Sequence, residues 1–245
     1  MTPEGTNLPP NVTWLSKHLP AKTTNITQSI AFCLFGIPAS VGSKAGKMQL
    51  DVSTIKEASH RQMSMLPAVT VYSHAWKPKE FDDRICQEIH SRYKPKKEIC
   101  ENIIFDTRSD LYGYTHVQSM ILSITKVLSL SQEERYDQLV LSRHDNIFLT
   151  PVPYFLPHQF VVMGSWETKS LDGIPDQSFA GDPIILQYVF TSLYARFISR
   201  QRIHNNTRAH FMIQAQLDEL YLTRRGYVAH FHMQQSLLRH IRPRV

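Results

Sequence analysis

Apolar and polar positions follow two different periods along this 245-residue chain, and the switches between them mark out its elements. "SIAFCLFGI" is apolar almost throughout, as a central strand covered on both faces should be. It runs into Gly36, Pro38, Ser40, Gly42 and Gly46, a small-residue loop. "STIKEASHRQMSML" then predicts a helix with Ser53 as N-cap, and "AVTVYSHAW" a second strand ending at His74 and Trp76. "KEFDDRICQEIHSRY" has helical spacing, with Phe81, Ile85 and Ile89 on one stripe. "NIIFD" predicts a short third strand. "YTHVQSMILSITKVLSLS" predicts a long helix that buries Val117, Met120, Ile121, Ile124 and Leu128, and "YDQLVLSR" a fourth strand.

Further on, "QFVVMGSW" reads as a strand and "LDGIPDQSFAGD" as a polar, glycine-containing loop. "DPIILQYVFTSLYARFISR" predicts a helix with Asp182 at its N-cap and Pro183 in its first turn. "AQLDELYLTRRGYV" predicts another, ended by Gly226, before the strand-like segments "YVAHFHM" and "SLLRHIRPRV". Residues 1–28, rich in Pro, Thr and Asn, lack periodicity and read as a loosely packed N-terminal arm. Residues 29–245 carry no internal repeat and read as a single α/β domain with a central, mainly parallel sheet flanked by helices.

Ligands of such sheets collect at the carboxyl ends of strands. Gly36–Gly42, His74–Trp76 and Arg143–Asn146 all lie at predicted carboxyl ends. Arg143 and Asp145 have two readings, a surface ion pair or a site. In the second, the guanidinium pairs with a diphosphate and the carboxylate ligates Mg²⁺ or Mn²⁺. Asp176 is open in the same way, either an Asx turn or a base, with Gln177 beside it for sugar hydroxyls. His230 and His232 share one strand face, but no third ligand accompanies them.

Composition narrows the field. The charge of +6 fits nucleic acid or a phosphate-bearing small ligand. Lys94, Lys96 and Lys97 cluster, as do Arg239, Arg242 and Arg244, yet no basic helix, aromatic RNA-binding signature or zinc finger accompanies them, so nucleic acid is not the expected partner. No phosphate loop, GxGxxG, HExxH, CxxC or nucleophile elbow occurs. No apolar run approaches the roughly 18 residues of a membrane span, and no secretory signal is visible, so the expected location is cytoplasmic. Cys33, Cys86 and Cys100 are odd in number and widely spaced, and read as reduced thiols. The triplets Asn11-Val-Thr13, Asn25-Ile-Thr27 and Asn205-Asn-Thr207 then read as chance sequons.

The succession "CLFGIPAS", "VTVYSHAW", "YDQLVLSRHDNIFLTPVP", "GIPDQSFAGDPIILQYV" resembles the glycosyltransferase-like proteins of bacterial polysaccharide clusters and large DNA viruses, over about residues 30–240. The resemblance implies a GT-A-type fold, a nucleotide-binding α/β sandwich. It implies transfer of a sugar from a nucleotide-diphosphate donor to a carbohydrate hydroxyl, assisted by Mn²⁺ or Mg²⁺. It implicates Phe35, Gly36, Ser40 and His74 at the strand ends in nucleotide-sugar binding, with Arg143 and Gln177. Asp145 becomes the metal ligand, Arg143 an aid to the leaving diphosphate and Asp176 the base. The family usually carries Pro where this chain has His144, and a full Asp-x-Asp is missing. The other reading of the same fold is a binding module without catalysis.

Overall fold

The computed structural model describes residues 29–38, 40–44, 47–51, 53–77, 83–103, 112–164, 177–199, 209–220, 222–223, 225–232 and 235–237. A seven-stranded sheet forms the centre, running from Val228–His232 at one edge through Phe160–Gly164, Ser178–Gly181, Gln138–Arg143, Ile30–Phe35 and Thr70–Lys77 to Lys97–Asn102 at the other. Its strands are β1 (Ile30–Phe35), β4 (Thr70–Lys77), β5 (Lys97–Asn102), β6 (Gln138–Arg143), β8 (Phe160–Gly164), β9 (Ser178–Gly181) and β10 (Val228–His232). All neighbours pair in parallel except β9, which runs antiparallel to both β6 and β8. The α/β architecture with a mostly parallel sheet is therefore as expected.

Helices cover both faces: α1 (Ser53–Met65), α2 (Arg84–Tyr93), α3 (Tyr112–Ser131), α4 (Pro183–Ile198) and α5 (Ala209–Glu219). The unbroken apolar run of β1 follows from this layering. Ala31, Cys33 and Phe35 enter the core shared with α3, α4 and α5, while Ile30, Phe32 and Leu34 enter the core beneath α1 and α2. Each large side chain so buried contributes about 1.5–3 kcal/mol. Asp182 caps α4 as anticipated, its Oδ1 accepting from the Ile184 amide at 2.9 Å.

Several expectations are corrected. The small-residue segment after β1 forms a hairpin, β2 (Ser40–Lys44) with β3 (Lys47–Asp51), rather than a plain loop. The third strand of the sheet is Lys97–Asn102, and as an edge strand it carries charges that hide it from a hydrophobic pattern; of "NIIFD", Asn102 closes this strand and residues 104–106 lie outside the described residues. "SFAG" is the reversed strand β9, although its glycine-bearing surroundings read as a loop. The last helix is Ala209–Glu219, and Gly226 (φ 71°) instead turns the chain into β10. Cys86 and Cys100 form a disulfide, while Cys33 is buried and its thiol pushed up to about 12 by burial. Phe81 lies outside the described residues.

Two further strands leave the main sheet. β7 (Asn146–Phe148) follows β6 after a two-residue turn and pairs antiparallel with β11 (Gln235–Leu237). The chain thus changes sheets at Arg143–Asn146.

Candidate functional site

The connections from β1 to β4 and β5 travel toward one edge of the sheet, and the next strand, β6, lies on the other side of β1. That reversal is a topological switch point, where α/β sheets open a crevice beyond the strands' carboxyl ends. The last register pair there is Phe35 with Arg143. A notch of about 30 Å³ opens at this point. It is bounded by Phe35, Gly36 and Ile37 after β1, Trp76 on β4, Ser119 and Met120 on α3, and Arg143 on β6. A wider groove, about 870 Å³, runs along α1 and Arg92, and its lining includes none of these strand-end residues.

Arg143 and Asp145 face each other. Arg143 Nε and Nη2 donate to the two oxygens of Asp145 at 2.9 and 3.0 Å, a bidentate pair that fixes the guanidinium plane. Asp145 is fully buried, whereas the Arg143 side chain keeps 14% of its surface exposed, at the notch. The guanidinium is the member of the pair that reaches the crevice.

His144 between them is also fully buried. Its Nδ1 lies 3.0 Å from the Phe35 carbonyl and its Nε2 3.1 Å from Ser73 Oγ. A carbonyl only accepts, so Nδ1 carries the proton and Nε2 accepts from the serine. Burial lowers the imidazole to about 3, against a smaller upward pull from the Phe35 bond, so the ring is neutral. One side chain thereby joins the turn after β6 to the end of β1 and the middle of β4.

The turn is also held from below by Gln62 of α1, which pattern reading missed. Its Nε2 donates to the Arg143 carbonyl at 2.9 Å and the Asn146 carbonyl at 2.7 Å, while its Oε1 accepts from Tyr93 Oη at 2.6 Å. These carbonyls leave the β6 ladder where the strand bends, and the buried amide helps to satisfy them, with Ser142 Oγ also donating to the Arg143 carbonyl at 3.2 Å.

A second chain of bonds supports the end of β1. The Gly36 amide donates to Ser123 Oγ at 2.8 Å, and Ser123 Oγ lies 2.7 Å from His74 Nδ1. His74 Nε2 then reaches Glu101 Oε1 at 3.1 Å, and Lys126 closes the series on the same carboxylate. Burial lowers His74 to about 4, with the Lys126 charge acting in the same direction. Burial pushes the Glu101 carboxyl up, but the Lys126 and His74 bonds outweigh it and bring it below its ordinary range. A neutral imidazole with its proton on Nε2 satisfies every link. Lys126 also sits 5.0 Å over the Trp76 ring, beside the notch.

Of the residues expected at the site, Phe35, Gly36 and Arg143 line the notch. Gln177 sits beside them, its carbonyl accepting from the Arg143 amide at 3.2 Å. His74 lies beneath the strand ends and holds Gly36 through Ser123, rather than bounding the notch. Ser40 opens β2, with only its backbone described, and Asp176 lies outside the described residues. The N-terminus of α4 is not at the crevice: Gly181, just before it, pairs with Leu139 and Phe160 at the amino ends of β6 and β8.

Asp145 does not fit a divalent ion in this arrangement, because both carboxylate oxygens already accept from Arg143 and the group is sealed from solvent. Among the described residues, no cluster of three His, Cys, Asp or Glu side chains is placed to hold an ion. The basic cluster at Lys96 and Lys97 is met by Glu134 and Glu133. Among the described residues, no helix is long and apolar enough to cross a membrane. No protein-family model matches the chain, and no curated protein matches it.

Proposed function

We propose that this chain is a nucleotide-sugar-dependent glycosyltransferase of GT-A type, with its donor diphosphate at the β1/β6 switch point. The observation that carries this reading is Arg143, in register with Phe35 at the strand reversal and held at the notch by Asp145. A crevice of that kind suits a nucleotide, and a fixed guanidinium suits a diphosphate.

In this reading Arg143 stabilises the negative charge that grows on the departing diphosphate, the kind of charge that preorganised donors act on most effectively. Asp145 is a positioning residue, and no step is routed through a metal. The ends of β1 and β4 form the floor. Gln177 stands where a sugar hydroxyl would approach, and the segment bearing Asp176 supplies the base if the reaction inverts the anomeric centre.

The test is calorimetry with UDP-, GDP- and dTDP-sugars, followed by a turnover assay on any donor that binds. The Arg143→Gln/Asp145→Asn double variant, which removes both charges at nearly constant shape, should bind that donor at least tenfold more weakly while melting as a folded domain. Failure of every nucleotide sugar to bind sinks the proposal. Binding with no turnover on any acceptor or on water assigns the fold to a non-catalytic module.

A further inference from the structure

Among the described residues, Lys97–Asn102 is an edge strand that pairs with β4 only, and none of its six residues is fully buried. Ordering each residue opposes folding by about 1–2 kcal/mol of backbone entropy. Ile99 and Cys100 are the strand's apolar members, and both are only partly covered. Yet the strand delivers Glu101, opposite Trp76 in register, to the chain of bonds that ends at Gly36. The ion pairs of Lys97 with Glu133 and Glu98 with His90 are solvent-exposed and hold it weakly, whereas the Cys86–Cys100 bond ties it covalently to α2 across a separation of 14 residues.

We propose that Cys86 and Cys100 are joined by a structural disulfide that the chain acquires in an oxidising compartment, and that this bond fixes the strand supplying Glu101. The two thiols lose two protons and two electrons as the S–S bond forms. A protein or small-molecule disulfide takes up both and is reduced to its dithiol. Structural disulfides persist outside the reducing cytosol, so the bond argues against the cytoplasmic placement that the sequence suggested. Three of the seven asparagines stand in Asn-x-Thr triplets, at Asn11, Asn25 and Asn205, a second and independent mark of such a compartment. Cys33 does not compete for the pairing, since it is buried in the β1 core with its thiol protonated. The inference stands or falls apart from the glycosyltransferase reading.

The full chain is produced in a secretory host and in a reducing cytosol, and both samples are digested without reduction for peptide mass spectrometry. The secreted sample should yield a Cys86–Cys100 linked peptide, two hydrogens lighter than the thiol pair, with Cys33 alkylated only after denaturation. Its melting temperature should exceed that of the cytosolic sample, and that of a Cys86→Ser/Cys100→Ser variant, by roughly 6–12 °C for a loop and domain of this size. Hydrogen exchange on reduction should accelerate at Lys97–Asn102 and leave β1 and β6 protected. Free, alkylatable Cys86 and Cys100 in the folded secreted protein would overturn the pairing. Equal melting temperatures, or unchanged exchange in β5, would overturn its structural role.

Discussion

His144 Nδ1 donates to the Phe35 carbonyl at 3.0 Å, so the turn that follows β6 is fastened to the end of β1. That bond forms whether or not the ring is charged; what needs a neutral ring is Nε2 accepting from the Ser73 hydroxyl, as His74 Nδ1 accepts from Ser123. Folded His144 and His74 hold their protons only below about 3 and about 4, whereas an unfolded histidine takes one near 6.5. Below 6.5 the unfolded chain therefore binds more protons than the folded one, and stability falls with pH. It is complete above about 6.5 and should drop by a few kcal/mol per histidine by roughly pH 4. Urea midpoints from pH 7.5 to 4 check this, and His144→Gln should flatten the slope. An unchanged midpoint across that range counts against buried, neutral rings.

Asp145→Ala should cost about 3–5 kcal/mol, because it leaves a largely buried guanidinium without its carboxylate. Asp145→Asn should cost less, since the amide oxygen still accepts one guanidinium bond. In the glycosyltransferase reading both lower turnover, by loosening Arg143. Thermal melts beside initial rates separate the two effects: equal melting with normal rates in both variants would show that the pair positions nothing.

A chelator should leave donor affinity unchanged, because the Asp145 oxygens are already taken up by Arg143. Calorimetry before and after metal removal is the measurement. A loss of tenfold or more would return Asp145 to the ligand role read from the sequence.

Gln62→Leu should destabilise by about 2–4 kcal/mol, since the Arg143 and Asn146 carbonyls and the Tyr93 hydroxyl all lose a bond to this amide, and the Arg143 carbonyl keeps only a longer one from Ser142 Oγ among those described. Chemical denaturation measures it. A cost below about 0.5 kcal/mol, the range of surface substitutions, would mean that the turn stands without this amide.

Two glycines with positive φ should respond differently to alanine. At Gly181 (φ 134°) a Cβ would lie 2.0 Å from the Gln159 carbonyl oxygen, so the strand must shift, at about 3 kcal/mol or more. At Gly36 (φ 94°) nothing lies within 4 Å of the added carbon, and only backbone strain of about 1–2 kcal/mol remains. Melting temperatures of the two variants, side by side, decide it; equal losses contradict the crowding at Gly181.

The legible parts of the fold were those written in local pattern. β1, β4 and β6 are apolar runs because both sheet faces are covered, and α4 announces itself through Asp182 and Pro183. β9 was not legible, because four residues with Phe179 as their one large apolar member become a strand only when β6 and β8 clamp them from either side. Arg143 and Asp145 could be placed at a strand end from the sequence, but their engagement with each other could not. Gln62, Ser73 and Ser123 left no signal either. Periodicity tells which face of an element is buried, and says nothing of which polar side chain will meet a distant carbonyl. The Cys86–Cys100 pairing is likewise a matter of spatial proximity.

The reversal of β9 redistributes the sources of positive charge around the sheet. In an all-parallel arrangement the helix after such a strand would aim its amino terminus, worth about half an elementary charge, at a bound anion. Here α4 begins at the opposite rim, where the His158 amide and Nδ1 meet Asp182. That helix's field is spent on a carboxylate of its own chain, so the amino terminus of α4 lends no positive potential to the notch that Arg143 lines at the other rim.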